Sequence, residues 1–102
     1  MKVLFVCSLG MSSAVAVKAL EKEANAKGVE IEVKAVSTQQ FEEELKNGYD
    51  VAMVAPQIRH RFDTLSAQAK EAQVPCAMIT PQGYSPLGGP KLLKQIQELL
   101  SN

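Results

Sequence analysis

An open α/β fold is predicted for this chain: a four-stranded parallel sheet in the order 2-1-3-4, with helices on both faces. Three observations carry the prediction. Four short apolar segments alternate with stretches of helical period, and regular β-α alternation with short connections gives parallel strands with crossover helices. The first and third apolar segments are dry at every position, as in strands covered on both faces. The second alternates apolar with charged residues, so one of its faces is wet. Strands one and three therefore take the centre, and strand two an edge.

The elements follow in order. Val3, Leu4, Phe5 and Val6 form a continuous apolar run that ends in Cys7. Ser12 or Ser13 can cap a helix reaching about Lys27, with Val17, Leu20 and Ala24 on one face and Gly28 as its stop. Ile31, Val33 and Ala35 then alternate with Glu30, Glu32 and Lys34, the period of a half-buried strand. The sequence Ser37-Thr38-Gln39-Gln40 fits a capping box for a short helix ending near Asn47 and Gly48. Residues 51–55 make the third strand, closed by Pro56. Phe62, Leu65, Ala69 and Ala72 recur at helical spacing until Pro75. Residues 76–80 read as the fourth strand, and residues 81–90, with three glycines and three prolines, as a loop. Pro90 suits the first turn of a last helix, whose buried face would be Leu92, Leu93, Ile96, Leu99 and Leu100.

At 102 residues the chain is expected to be one domain, 1–102. Its eleven basic and eleven acidic side chains cancel, whereas a duplex-binding domain carries a basic excess, so nucleic acid is not an expected partner. The few apolar residues before Ser8 are too short for a signal-peptide core, and no run approaches the roughly 20 apolar residues of a membrane span. A cytoplasmic location is expected. The two cysteines, Cys7 and Cys76, form no C-x-x-C, and with His60 as the sole histidine no zinc spacing exists. Neither a metal nor a cofactor is expected.

The chemistry concentrates after the first strand. Cys7 opens into Ser8, Leu9, Gly10, Met11, Ser12 and Ser13, directly before a helix. Unpaired backbone N–H groups and the positive end of a helix dipole converge at such a place, favouring anions. They would hold the sulfur as thiolate below the usual value of about 8.5. Gly10 permits an anion nest, and three serines add hydroxyl donors. A strand cysteine by itself is more often a small buried hydrophobe. Packing, however, needs neither the glycine nor the serines, so Cys7 is read as a phosphoryl acceptor. The loop lacks the Gly-Lys-Ser/Thr of a Walker motif. It also lacks the C-x5-R of tyrosine phosphatases, since Ser13 stands where the arginine would be. Without that clamp, and without a general acid at the strand ends, a phosphocysteine should form and hydrolyse poorly. That suits a carrier.

The run K-V-L-F-V-C-S-L-G-M-S-S, then E-V-K-A-V-S, then Y-D-V-A-M-V-A-P-Q-I-R resembles the enzyme IIB component of the lactose/cellobiose branch of the sugar phosphotransferase system. The resemblance spans essentially the whole chain. It implies a four-stranded parallel sheet and phosphotransferase activity. Cys7 would take phosphate from a phosphohistidine of enzyme IIA and pass it to a sugar bound by the membrane component, enzyme IIC. Residues Ser8 to Ser13 would form the phosphate loop, and the chain would meet the inner membrane face only transiently, through IIC. The free-standing length is more like the cellobiose/chitobiose type, implying a β-linked disaccharide. A monomer is expected.

Three loops should meet at the rim beside Cys7. Ile58, Arg59 and Tyr84 are read as docking residues there, with Leu9, Met11 and Leu87 as apolar neighbours. Arg59, His60 and Arg61 form a basic run at a helix start, opposing the helix dipole. They either steer an anionic partner or form a solvated helix start, and His60 is read as a surface residue. Cys76 is read as core. Competing functions are a small cysteine phosphatase, a thiol-dependent reductase and a phospho-receiver module. The reductase would need a resolving cysteine. The receiver would need acidic residues where Cys7-Ser8 and Ala55-Pro56 stand.

Overall fold

The computed structural model describes residues 1–7, 14–80 and 88–100. Four strands, β1 (Lys2–Cys7), β2 (Glu32–Ser37), β3 (Val51–Val54) and β4 (Cys76–Met78), form one sheet in the order β2-β1-β3-β4. All three pairings are parallel. Between and after them run α1 (Ala14–Ala26), α2 (Thr38–Glu44), α3 (Phe62–Glu71) and α4 (Gly89–Leu100). This is the fold class and strand order that the sequence predicts.

Alternation along the strands divides the core in two. Val3 and Phe5 of β1 with Val51 and Met53 of β3 meet Leu20 of α1 and Leu92 of α4. On the other face, Leu4, Val6, Ala52 and Val54 meet Phe41 of α2 and Leu65 of α3. Both faces of β1 and β3 are thus dry, which is why their sequences are unbroken apolar runs. Burying a side chain such as Phe5 contributes ~2–3 kcal/mol. β2 keeps Glu32 and Lys34 exposed, and these charges blunt a sheet edge.

Gly28 (φ 69) and Gly48 (φ 80) take left-handed backbone and end the helical segments before them. Gly89 serves a different purpose. A Cβ there would collide with the backbone carbonyl oxygen of Ala19, so the missing side chain lets α4 start against the α1 backbone.

Several local expectations are corrected. Ser37 does occupy the N-cap position of α2, yet its side chain caps no backbone group. Its hydroxyl instead approaches Gln40 Oε1 at 3.5 Å, so the capping box is not formed. The helical segment does end at Asn47 before Gly48, as expected, but its last turn, Leu45–Asn47, is 3-10 after α2 stops at Glu44. β4 ends at Met78, although the Ile79 N–H still bonds the Val54 carbonyl at 2.8 Å. α3 ends at Glu71, leaving Ala72 exposed, and Gln73 turns the chain with φ 62. Leu100 is 38% exposed and does not join the buried face of α4. The cap expected from Ser12 or Ser13 lies outside the described residues.

Candidate functional site at the end of the central strand

Cys7 is the last residue of β1. Its neighbours come from the two flanking strands. On one side it is in register with Ser37, the last residue of β2. On the other, the Ala55 N–H donates to the Val6 carbonyl at 3.0 Å, tying the exit of β3 to the end of β1. From β1 the chain crosses to β2 on one side, then returns to β3 on the other. Cys7 therefore sits at the switch point, where open parallel sheets place ligands beyond their carboxyl ends. The same edge receives the starts of α1 and α2. The site's backbone frame is set by burial of the sheet, not by the site residues themselves.

The sulfur-bearing residue is closed in. Cys7 is 0% exposed and packs in the core cluster that contains Val6, Ala55 and Ile58. Any group that reacts with it must first reach it. Cys76, in contrast, is half-buried on β4, where burial pushes its thiol up to about 11. Neither cysteine is in a disulfide. A thiol so seldom ionised is a poor nucleophile, which agrees with the packing role read for Cys76.

The segment after β3 differs from a plain helix start. Pro56–Arg61 is a 3-10 turn opened by Pro56, and Ile58 inside it leaves helical backbone (φ −115, ψ 28). That kink turns Ile58 inward to 3% exposure. Ile58 therefore is not an exposed docking residue: its side chain helps wall the cluster around Cys7. The kink leaves Arg59, His60 and Arg61 exposed. Arg61 Nη1 donates to Thr38 Oγ1 at 3.1 Å, joining this turn to the first residue of α2. The ion pairs Lys34–Glu44 and Lys46–Glu43 involve neither arginine, and neither has a carboxylate partner among the described residues.

Ser37 and Thr38 are the neighbours that the sequence reading missed, having assigned them only to a helix cap. The signal was available: in a parallel sheet ordered 2-1-3-4, the residue ending strand two lies beside the residue ending strand one. Ser8, Leu9, Gly10, Met11, Ser12, Ser13, Tyr84 and Leu87 lie outside the described residues. Among the described residues, two hollows of about 650 and 480 Å3 sit at the opposite edge, among residues such as Lys2, Glu32 and Tyr49. Among the described residues no three His, Cys, Asp or Glu side chains group to hold a metal. No helix among them is long and apolar enough to cross a membrane.

The family profile described as PTS system, Lactose/Cellobiose specific IIB subunit, matches residues 2–95. The chain is 27% identical to the oligo-beta-mannoside-specific EIIB component of Bacillus subtilis, covering 99% of this chain and 97% of that one. It is also 27% identical to the galactose-specific EIIB component of Lactococcus lactis, over 97% and 95%. The solution structure of a cellobiose-specific IIB component from Borrelia burgdorferi superposes with a TM-score of 0.78 at 28% identity, covering 100% and 93%. The lactose-specific IIB domain of Streptococcus pneumoniae gives 0.80 at 22%, covering 96% and 95%. A low molecular weight tyrosine phosphatase from Bacillus subtilis shares the fold alone, with a TM-score of 0.54 at 16% identity, covering 98% and 92%. Because the family match runs from the first strand with its terminal cysteine into the last helix, the chain belongs to the lactose/cellobiose-specific IIB subunits of the sugar phosphotransferase system, which are phosphotransferases.

Proposed function

We propose that this IIB subunit carries the phosphoryl group on Cys7. The thiolate attacks the phosphorus of a phosphohistidine on enzyme IIA. An S–P bond forms as the N–P bond breaks, and the imidazole leaves with the bonding pair. A hydroxyl of the sugar held by enzyme IIC then attacks the same phosphorus. The O–P bond forms, the S–P bond breaks and the thiolate returns, while the hydroxyl proton passes to a base outside this chain. Ser8, Leu9, Gly10, Met11, Ser12 and Ser13 supply the amides and hydroxyls around the phosphate. The acceptor is a β-linked disaccharide such as cellobiose or chitobiose.

One observation supports this reading above the others: Cys7 ends the central strand at the switch point of the sheet, in a member of this family. Its complete burial adds a requirement. Side chains that close over Cys7, Ile58 among them, must give way for transfer. Donor and acceptor must each bring a reacting group to one sulfur, so they share one approach surface and bind in turn. Arg59 and Tyr84 remain the docking residues proposed for that surface. A chain working as a monomer meets IIC, and so the membrane, only for the second transfer.

The test is sugar phosphorylation reconstituted with the general phosphotransferase proteins, IIA and IIC. Cys7→Ser should abolish it and Cys76→Ser should retain it. Hydrolysis of para-nitrophenyl phosphate should be negligible, and rapid turnover would favour a phosphatase instead.

A further inference from the structure

The phosphate loop contains no basic residue: between Cys7 and Lys18 every side chain is uncharged. A phosphoryl group arriving there carries about two negative charges, and the loop offers only backbone amides and hydroxyls to them, so a cation elsewhere in the fold would add to the attraction. We infer that Arg61, held in place by Thr38, is the positioning cation that draws dianionic groups toward Cys7. This rests on Cys7 being the reacting residue and adds how its substrate is attracted.

The geometry carries the inference. Ser37 pairs with Cys7 in register, Thr38 is the next residue, and Arg61 Nη1 donates to Thr38 Oγ1 at 3.1 Å. With strands ~4.8 Å apart and consecutive Cα atoms ~3.8 Å apart, the guanidinium lies within roughly 14 Å of the Cys7 Cα. Arg61 has no carboxylate partner among the described residues that would cancel its charge. Its hydrogen bond to Thr38 uses a neutral hydroxyl, which fixes the side chain without neutralising it. The guanidinium also borders a small polar hollow, about 140 Å3, shared with Thr38, Thr64 and Gln68. The Gln68 Oε1 atom is buried and without a hydrogen-bond partner. Arg61 thus borders a hollow whose other lining is the uncharged polar Thr38, Thr64 and Gln68 together with Leu65 of the core. At this range the attraction acts through the field, not by contact, so it must weaken as the Debye length shrinks.

The experiment compares alkylation of Cys7 by iodoacetate, an anion, and iodoacetamide, its neutral analogue, in a Cys76→Ser background. The ratio of the two rates reads the local potential and cancels changes in sulfur accessibility. At low salt Arg61→Gln should lower that ratio ~three- to tenfold, the iodoacetamide rate reading separately any fall in the thiolate fraction of Cys7. Thr38→Val should lower it less, and Arg61→Lys should restore most of it. Lys70→Gln, at the far end of α3, should leave the ratio unaltered. The Arg61 effect should fade near 1 M salt, where the Debye length is about 3 Å. An unchanged ratio in Arg61→Gln would overturn the inference. So would equal slowing of both reagents, or a Cys7 closed to both, since a field on small anions requires that they reach the rim. No phosphoryl donor is used, so failure here leaves the carrier reading standing. A phosphoryl group found elsewhere than on Cys7 would leave the measured field standing.

Discussion

Cys7 and Cys76 have the same side chain and different surroundings, and the surroundings decide their chemistry. Cys76 sits on an edge strand where burial holds its thiol near 11. Its iodoacetamide reaction in a Cys7→Ser background should stay slow at neutral pH and rise steeply only toward pH 11. A midpoint near the ordinary thiol value of about 8.5 would contradict that burial. The raised value means that Cys76 stabilises the fold as a neutral thiol: the contribution is complete below the unfolded value and is lost as pH rises through the folded one. Gly89 offers a second single-residue test. A Cβ there would meet the Ala19 carbonyl oxygen, which is backbone and cannot swing aside. Gly89→Ala should cost ~1–3 kcal/mol in chemical denaturation, despite alanine's better helix propensity. A stabilised variant would show that α4 and α1 are not packed so closely.

Among the elements, the turn that follows α2 is held by one carboxylate. Glu44, 16% exposed, accepts from the Tyr49 hydroxyl at 2.6 Å, from Asn47 Nδ2 at 3.1 Å and from Lys34 Nζ at 3.2 Å. The hydrogen bond from Tyr49 is the chief cause that lowers the Glu44 pKa, with Asn47 next. Tyr49 in turn is raised, by burial first and then by Glu44. Because Glu44 is more acidic folded than unfolded, its contribution is present above the unfolded value of about 4.3 and is lost as pH falls through the folded one. Tyr49→Phe should therefore cost ~1–2 kcal/mol at neutral pH, and the difference from wild type should shrink below about pH 4. A difference independent of pH would mean that the hydroxyl acts through packing instead. This cluster was not legible in the sequence, where Glu42, Glu43 and Glu44 form a uniform run. Only the tertiary fold selects Glu44: the return of the chain to β3 brings Tyr49 to it, and β2 beside it brings Lys34. Ile58 was misjudged for a similar reason. Its neighbours are polar or charged, and the backbone kink that sends it inward leaves no mark on the periodicity.

For the whole molecule, the strand order was legible because burial leaves a distinct pattern on each strand. Val3 to Val6 and Val51 to Val54 are dry on both faces, while Glu32 and Lys34 mark an edge. From that order follows the switch point, and so the position of Cys7. What joins distant segments across that edge, the pairing of Ser37 with Cys7 and the bond from Arg61 to Thr38, depends on register and side-chain direction that no local pattern encodes. In the proposed function this scaffold presents a single sulfur to two partners in turn. Intact-mass analysis after incubation with the general phosphotransferase proteins and cognate IIA, followed by peptide mapping, tests it most directly. One added phosphoryl group per chain is expected, located on Cys7 and absent from Cys7→Ser. A phosphoryl group on His60 or a serine, or none at all with an active donor, would contradict it.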